Sequence, residues 1–189
     1  MQKLLFRALC YGLFLCVLSA TGYCAAFDAQ VENVCPPGFK ISSGYATSGA
    51  VSMNASKPNA NDAKGALVDR EMHAQYDSTP RLSSVYDNVS MQYQEAQKKL
   101  DADMSETRNL GMAIDAPVSK DDFAGGTLYL RKNTRGYMGA GSGGTGVVTY
   151  SGTWIGIINN HFVNIKMDNV VDSPAPLKEA IQYMVEKTQ

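Results

Sequence analysis

The stretch "GVVTYSGTWIGIINNHFVNIKMDNVV", residues 146–171, decides the fold of this chain. It is rich in β-branched and aromatic residues, and Gly and Asn interrupt it at short intervals. This composition predicts short antiparallel strands over "GVVTYSGTW", "WIGIINN" and "HFVNIKMDNVV". Asn159-Asn160 is expected to form a tight turn, because Asn tolerates the left-handed backbone conformation. With "GTLYLRK", residues 126–132, the stretch predicts a small antiparallel sheet of about four strands.

A helix is expected directly after this sheet. Ser173 is placed to cap the helix and Pro174 to start it, since proline in the first helical turn loses no hydrogen bond. Helical spacing then brings four apolar side chains onto one face: Leu177, Ile181, Met184 and Val185. This face is expected to pack on the sheet.

The region before the sheet predicts one or two further helices. Over residues 82–110, apolar side chains recur mostly in steps of three and four, which is typical of one helical stripe. Thr79 and Pro80 fit the start of this helix, and Gly111 fits its end. A shorter helix is expected to precede it over "AKGALVDREMHAQY", residues 63–76.

Residues 27–65 are expected to form a flexible N-terminal arm in front of a domain of residues 66–189. Most of segment 41–65 is Ser, Ala, Asn and Gly, and such a segment buries too little apolar surface to offset its ordering entropy. The predicted fold class is therefore α+β. It comprises a disordered arm, one or two helices, a sheet of about four strands and a C-terminal helix.

The first 26 residues have the pattern of a secretory signal peptide. Lys3 and Arg7 precede the apolar run "ALCYGLFLCVLSA", and small residues follow as far as Ala26. Residues 8–27 carry no charge, so an uncleaved membrane anchor is the alternative. In both cases the positive residues stay inside and the body of the protein lies outside the cytoplasm. The expected location is the periplasm or the extracellular space, or the inner membrane if the segment is retained.

The cleavage site decides the cysteine chemistry. Cleavage after Gly22 leaves Cys24 and Cys35, which can close a short disulfide in an oxidising compartment. Cleavage after Ala26 leaves Cys35 alone, and an odd thiol in an exported protein suggests an oligomer joined through it.

Charge and ligand counts exclude several classes of partner. Without Lys3 and Arg7 the 17 basic residues fall to 15 against 18 acidic ones, a net charge of about −3. Such a chain has no basic field for nucleic acid. A metal site is not expected either, because the histidines number two and the acidic clusters at 101–106 and 121–122 fit solvated faces or caps.

The glycine-rich segment "RGYMGAGSGGTGVVTY", residues 135–150, matches the G-x-G-x-x-G spacing twice. A nucleotide site needs such a loop before a helix N-terminus, whose free amides hold the phosphates. Here a predicted strand follows the glycines, and no Lys-Ser or Lys-Thr follows to make a P-loop. We therefore expect a loop that joins two strands, and no cofactor.

The same segment carries an alternative with catalytic chemistry. Ser142 lies between glycines in a variant of the nucleophile-elbow spacing, and His161 follows downstream. A small exported serine hydrolase would use Ser142 and His161 as its catalytic residues. The elbow also requires a helix after the serine, which the sequence does not predict.

Aromatic residues of the β region offer surface for contacts. Tyr137, Tyr150, Trp154 and Phe162 are candidates, because exposed aromatic side chains anchor interfaces. The sequence thus favours an exported, non-enzymatic bacterial envelope protein with a structural, adhesive or assembly role through contacts with protein partners. The alternatives are the serine hydrolase and a membrane-anchored component of a secretion or conjugation apparatus.

Overall fold

The computed structural model describes residues 31–47, 50–59, 71–80, 89–104, 108–110, 113–115, 118–135 and 147–189. Its strands and helices are, in chain order, β1 (Lys40–Thr47), β2 (Ala50–Pro58), β3 (Glu71–Pro80), α1 (Val89–Asp103), β4 (Arg108–Leu110), β5 (Ala113–Asp115), β6 (Ser119–Phe123), β7 (Gly126–Arg135), β8 (Val147–Ile158), β9 (His161–Val171) and α2 (Ala175–Thr188). Residues 31–34 are also helical and precede β1.

Within these ranges, nine strands form one antiparallel sheet, and seven of them have five residues or more. The strand order is β1-β2-β3-β9-β8-β7-β5-β4, and β6 also pairs with β7. Strands β6 and β5 share the outer edge of β7, at its first and last residues respectively. The predicted α+β class is confirmed. The expected size of about four strands is wrong, because the chain before α1 adds three strands and the chain between α1 and β7 adds three more.

The hairpin of β8 and β9 forms the centre of the sheet. Asn159 and Asn160 connect β8 and β9 with φ of 48° and 62°, so the predicted tight turn is confirmed. The segments "GVVTYSGTW" and "WIGIINN" are one strand of 12 residues rather than two. Gly152 and Gly156, which resemble strand ends, lie inside β8 and give room to neighbouring side chains.

One face of the sheet carries the hydrophobic core, which we call the core face. Trp154 is fully buried at its centre, and its indole Nε1 donates a hydrogen bond of 2.8 Å to the carbonyl oxygen of Phe123. A bulge in β9 interrupts the register, and Asn169 there has φ of 63°. Because of this bulge, both Met167 and Val170 stay on the core face.

The C-terminal helix α2 covers the core face, as predicted. Its buried side chains include the four expected ones, Leu177, Ile181, Met184 and Val185. The helix begins at Ala175, directly after Pro174, and the Ala175 N–H donates to Ser173 Oγ at 3.2 Å. The predicted start is therefore confirmed within a residue.

The structure corrects the interpretation of the chain before α1. Residues 40–47 and 50–58, expected in a flexible arm, form the paired strands β1 and β2. Residues 71–76 of the predicted short helix belong to strand β3. Alternating Met53 and Ala55 in β2 are buried, so these strands contribute to the core despite their polar composition. Long-range pairing, which composition does not show, stabilises them.

Helix α1 confirms part of the long predicted helix. Thr79 and Pro80 end β3 instead of starting α1, and the predicted stop at Gly111 lies outside the described residues. The helix packs against β8 and β9. Its apolar stripe is weakly buried, since Val89 is its buried residue and Tyr93 and Leu100 are half-buried.

The export signal lies outside the described residues, because these begin at residue 31. Across the described ranges, no helix combines the length and apolar content that a membrane crossing needs.

Candidate functional site

The second face of the sheet, opposite the core face, is polar. In β2, β3 and β9 the side chains alternate, and most of those that do not join the core are hydrophilic; Phe162 at the start of β9 is an apolar exception. We call this surface the polar face; on these three strands it carries Ser52, Asn54, Ser56, His73, Gln75, Asp77, Asn164, Lys166 and Asp168.

Strands β1 to β3 form an open section of the polar face, which we define by Tyr45, Ser52, Asn54, Gln75 and Asp77. The register pairs Tyr45 with Ser52 and Ser52 with Asp77, so these side chains form one row across three strands. Asn54 pairs with Gln75 in the next row. Tyr45 has 56% of its surface exposed, the largest fraction among the large apolar side chains of the described ranges.

Hydrogen bonds fix the polar groups of the open section. Ser52 Oγ donates to Asp77 Oδ1 at 2.6 Å, and Gln75 Nε2 donates to Asp77 Oδ2 at 2.9 Å. Asn54 Nδ2 donates to Ser43 Oγ at 3.0 Å. Each donor is therefore oriented before any ligand arrives, which lowers the entropy that binding must overcome.

Helix α1 covers the other part of the polar face and leaves a charged cavity of about 160 Å³ beneath its C-terminal end. The cavity is lined by both signs of charge, with Arg131 and Lys166 facing Asp103 and Asp168. Exclusion of water around the carboxyl of Asp168 raises its pKa, and the charges of Lys166 and His73 partly offset that effect. The lining of the cavity thus carries two basic and two acidic side chains.

Polar contacts attach α1 to the sheet beside this cavity. Lys120 Nζ lies 2.8 Å from Asp101 Oδ1, and the Tyr129 hydroxyl donates to the same oxygen at 2.8 Å. These hydrogen bonds, that of Lys120 first, lower the pKa of Asp101. Tyr93 and Thr127 form a second link, with 2.8 Å between their hydroxyl oxygens. These hydrogen bonds hold α1 on the sheet, where few of its apolar side chains are buried.

His161, the candidate catalytic base, lies in a separate cleft of about 290 Å³ near the end of α2. Its Nδ1 is 2.8 Å from the carbonyl oxygen of Asn159. A carbonyl only accepts, so Nδ1 carries the proton in this bond. In a serine hydrolase a carboxylate takes that position. None of the described residues that line the cleft is acidic, and Ser142 lies outside the described ranges.

Of the two candidate disulfide cysteines, the structure describes Cys35. Cys24 lies outside the described residues, and Cys35 is in no disulfide within them. The Cys35 thiol is half-buried, and its Sγ lies 3.7 Å from the carbonyl oxygen of Phe39. Burial raises the pKa of this thiol, so less reactive thiolate is present at neutral pH.

The four aromatic contact candidates have different positions. Trp154 is completely buried, so a surface contact through it is wrong: its ring fills the core. Tyr150 is half-buried and packs against the core, and Phe162 is also half-buried. Tyr137 lies outside the described residues. Sequence reasoning missed Tyr45, because it assigned residues 41–65 to an arm. Period-two alternation in "SGYATSGAVSMNAS" was the available signal.

The glycine-rich segment joins neighbouring antiparallel strands, since Arg135 of β7 pairs with Val147 of β8. The prediction that a strand and not a helix follows it is confirmed. Residues 136–146 themselves lie outside the described ranges. In the part of the chain that is described, no three His, Cys, Asp or Glu side chains come together as metal ligands.

Comparison of the chain with family models, curated proteins and solved structures finds no match. Function must therefore be inferred from the chemistry of the described surfaces, because one fold supports many functions.

Proposed function

We propose that this chain is an exported, non-enzymatic protein of a bacterial envelope, with a structural, adhesive or assembly role through contacts with protein partners. The signal pattern of residues 1–26 supports export to the periplasm or beyond. If that segment is retained, the same body is held at the inner membrane as part of a secretion or conjugation apparatus.

The observation that carries the contact role is the outer edge of β1. This strand is first in the sheet order, and among the described residues it pairs with β2 alone. Its other edge therefore presents backbone N–H and C=O groups to any extended segment that approaches. Ile41 on the same strand is 39% exposed, so a partner strand also meets a side chain that buries apolar area.

Strand addition suits an assembly role because its affinity comes from main-chain hydrogen bonds, while side chains on alternate positions give specificity. The bulge in β1 between Ile41 and Ser43 limits pairing to the residues that follow it. The expected contact is thus a short strand laid along residues 43–47, with the side chain of Ile41 at the end of the contact and within reach of the partner.

A photo-crosslinking amino acid at Ile41 tests this contact in intact cells. A matched control is Met91 on α1, which is 47% exposed and lies on a helix instead of an edge. We expect crosslinks to a discrete envelope protein from position 41 and none from position 91. Hydrogen exchange of the purified complex should then show slower exchange for amides of β1. Crosslinking from both positions alike, or unchanged β1 exchange in the complex, would contradict strand addition.

Export and catalysis have their own measurements. The intact mass of the exported protein shows whether residues 1–26 are removed and whether Cys24 remains. The hydrolase alternative predicts labelling by a serine-directed phosphonate that Ser142→Ala abolishes. Absence of such labelling would exclude it.

A further inference from the structure

We propose that the open section of the polar face binds a neutral oligosaccharide or polysaccharide strand. The site uses side chains on the face of β1, β2 and β3, whereas the proposed protein contact uses the backbone edge of β1. The two can therefore succeed or fail separately.

Tyr45 provides the surface on which a sugar ring can stack. A tyrosine ring presents a large, rigid, partly apolar face at low conformational cost. At 56% exposure the Tyr45 ring is open to solvent, and its strand neighbours on this face are polar. A ligand that covers the ring must itself be apolar on one side and hydrophilic around its rim. Pyranose rings have that form.

The hydrogen-bonding groups beside Tyr45 match hydroxyl groups. Asp77 provides the carboxyl group of the open section, and both of its oxygens already accept from Ser52 and Gln75. Each carboxylate oxygen keeps lone-pair capacity for a further donor. Sugar hydroxyls both donate and accept, so they suit this acceptor and the amide groups of Asn54 and Gln75. The charges on this part of the polar face, Asp77 and the Lys166 side chain opposite Gln75, offset each other, so they favour a neutral polymer over a charged one.

The spacing of the groups favours more than one sugar unit. Tyr45 and Asp77 lie in one row on strands two apart, which places their backbones about 10 Å from each other at the usual ~4.8 Å strand separation. One ring cannot cover the tyrosine and also reach the carboxylate. A chain of two or more units running across the strands can do both.

Amide chemical shifts of the exported protein, titrated with cellohexaose and chitohexaose, test the site. We expect shifts confined to the polar side of β1 to β3. Tyr45→Ala should weaken binding about tenfold through loss of the stacking surface, and Tyr45→Phe should retain it within about twofold. Asp77→Asn should also weaken binding. Tyr183→Ala, on α2 of the opposite face, is the matched control and should bind like the natural protein.

Three outcomes would overturn the proposal: no amide shifts with either sugar at large molar excess, binding by Tyr45→Ala equal to that of the natural protein, or sugar-induced shifts that map to a different surface. Each variant is checked for unchanged thermal unfolding, so that lost binding is not lost folding. If sugars fail while position 41 still crosslinks to an envelope protein, the glycan site is wrong and the protein contact stands. If sugars bind without crosslinking, the reverse holds.

Discussion

Replacing Gly156 with alanine should test how tightly Trp154 is enclosed. A Cβ built on Gly156 would lie 2.6 Å from Cζ2 of the Trp154 ring, which is closer than real Cβ atoms come to a neighbour. The ring has little room to retreat across the sheet, because it lies so close to the backbone of Gly126 in β7 that a Cβ built there would be 2.5 Å from the same atom. Its indole N–H is also bonded to the carbonyl of Phe123 at 2.8 Å.

The expected cost follows from this enclosure. Adding a carbon to a well-packed core usually costs about 1–3 kcal/mol, depending on how freely the neighbours move. Since Trp154 is fully buried and held on both sides, we expect the upper end, about 3 kcal/mol. For a chain of this size that lowers Tm by about 6–12 °C, because 1 kcal/mol corresponds to about 2–4 °C.

Urea denaturation followed by tryptophan fluorescence and circular dichroism measures the change. The matched control is Gly152→Ala on the same strand and face, where the nearest atoms are flexible methyl groups of Leu177 at 3.0 and 3.1 Å. That variant should lose about 1 kcal/mol or less. In a Trp154→Leu background, which contains no tryptophan and is followed by circular dichroism, Gly156→Ala should cost much less than in the natural protein. Equal costs for the two glycines, or no relief in the leucine background, would refute the enclosure of the ring.

Three further predictions concern α1, the polar face and the central turn. The hydrogen bond from Lys120 lowers the pKa of Asp101, so this interaction stabilises the fold fully above the pKa that Asp101 has in the unfolded chain. The stabilisation is lost as pH falls through the lowered pKa of the folded state. Asp101→Asn should therefore flatten the decline of the urea midpoint below about pH 4. Tyr93→Phe removes the bond to Thr127 and should cost about 1 kcal/mol, with faster hydrogen exchange in α1 and unchanged exchange in α2. Asn160 has φ of 62°, so Asn160→Val should lower the free energy of unfolding by about 1–2 kcal/mol while Asn160→Gly is tolerated.

The sequence predicts the centre of the fold well because its signals there are local. The turn at Asn159-Asn160 depends on the backbone preference of two adjacent residues, and the face of α2 depends on helical spacing within 14 residues. The same holds for β7 and β9, which contain enough β-branched and aromatic residues to be recognised alone.

The first three strands lack such local signals. Their residues are mostly small or polar, and β3 contains Glu71, Met72 and Ala74, which also favour a helix. What makes β3 a strand is its position between β2 and β9, with Ala74 opposite Ala55 on one side and Met167 on the other. This pairing depends on strands that are far apart in the sequence, so a short segment of sequence cannot predict it.

The candidate site was missed for the same physical reason. The inward positions of β2 and β3 are few and alternate with polar residues, and some of them are small, such as Ala55 and Ala74 beside Met53 and Tyr76, so the overall composition resembles that of a linker. Their outward positions are then free to hold fixed polar groups, as Ser52 and Asp77 show. The apolar side of the sheet lies under α2 and stabilises the fold. The polar side is partly left open by α1 and carries the proposed binding groups. Substitution of Tyr45 should therefore change binding while leaving the free energy of unfolding nearly intact, whereas substitution on the core face should do the opposite.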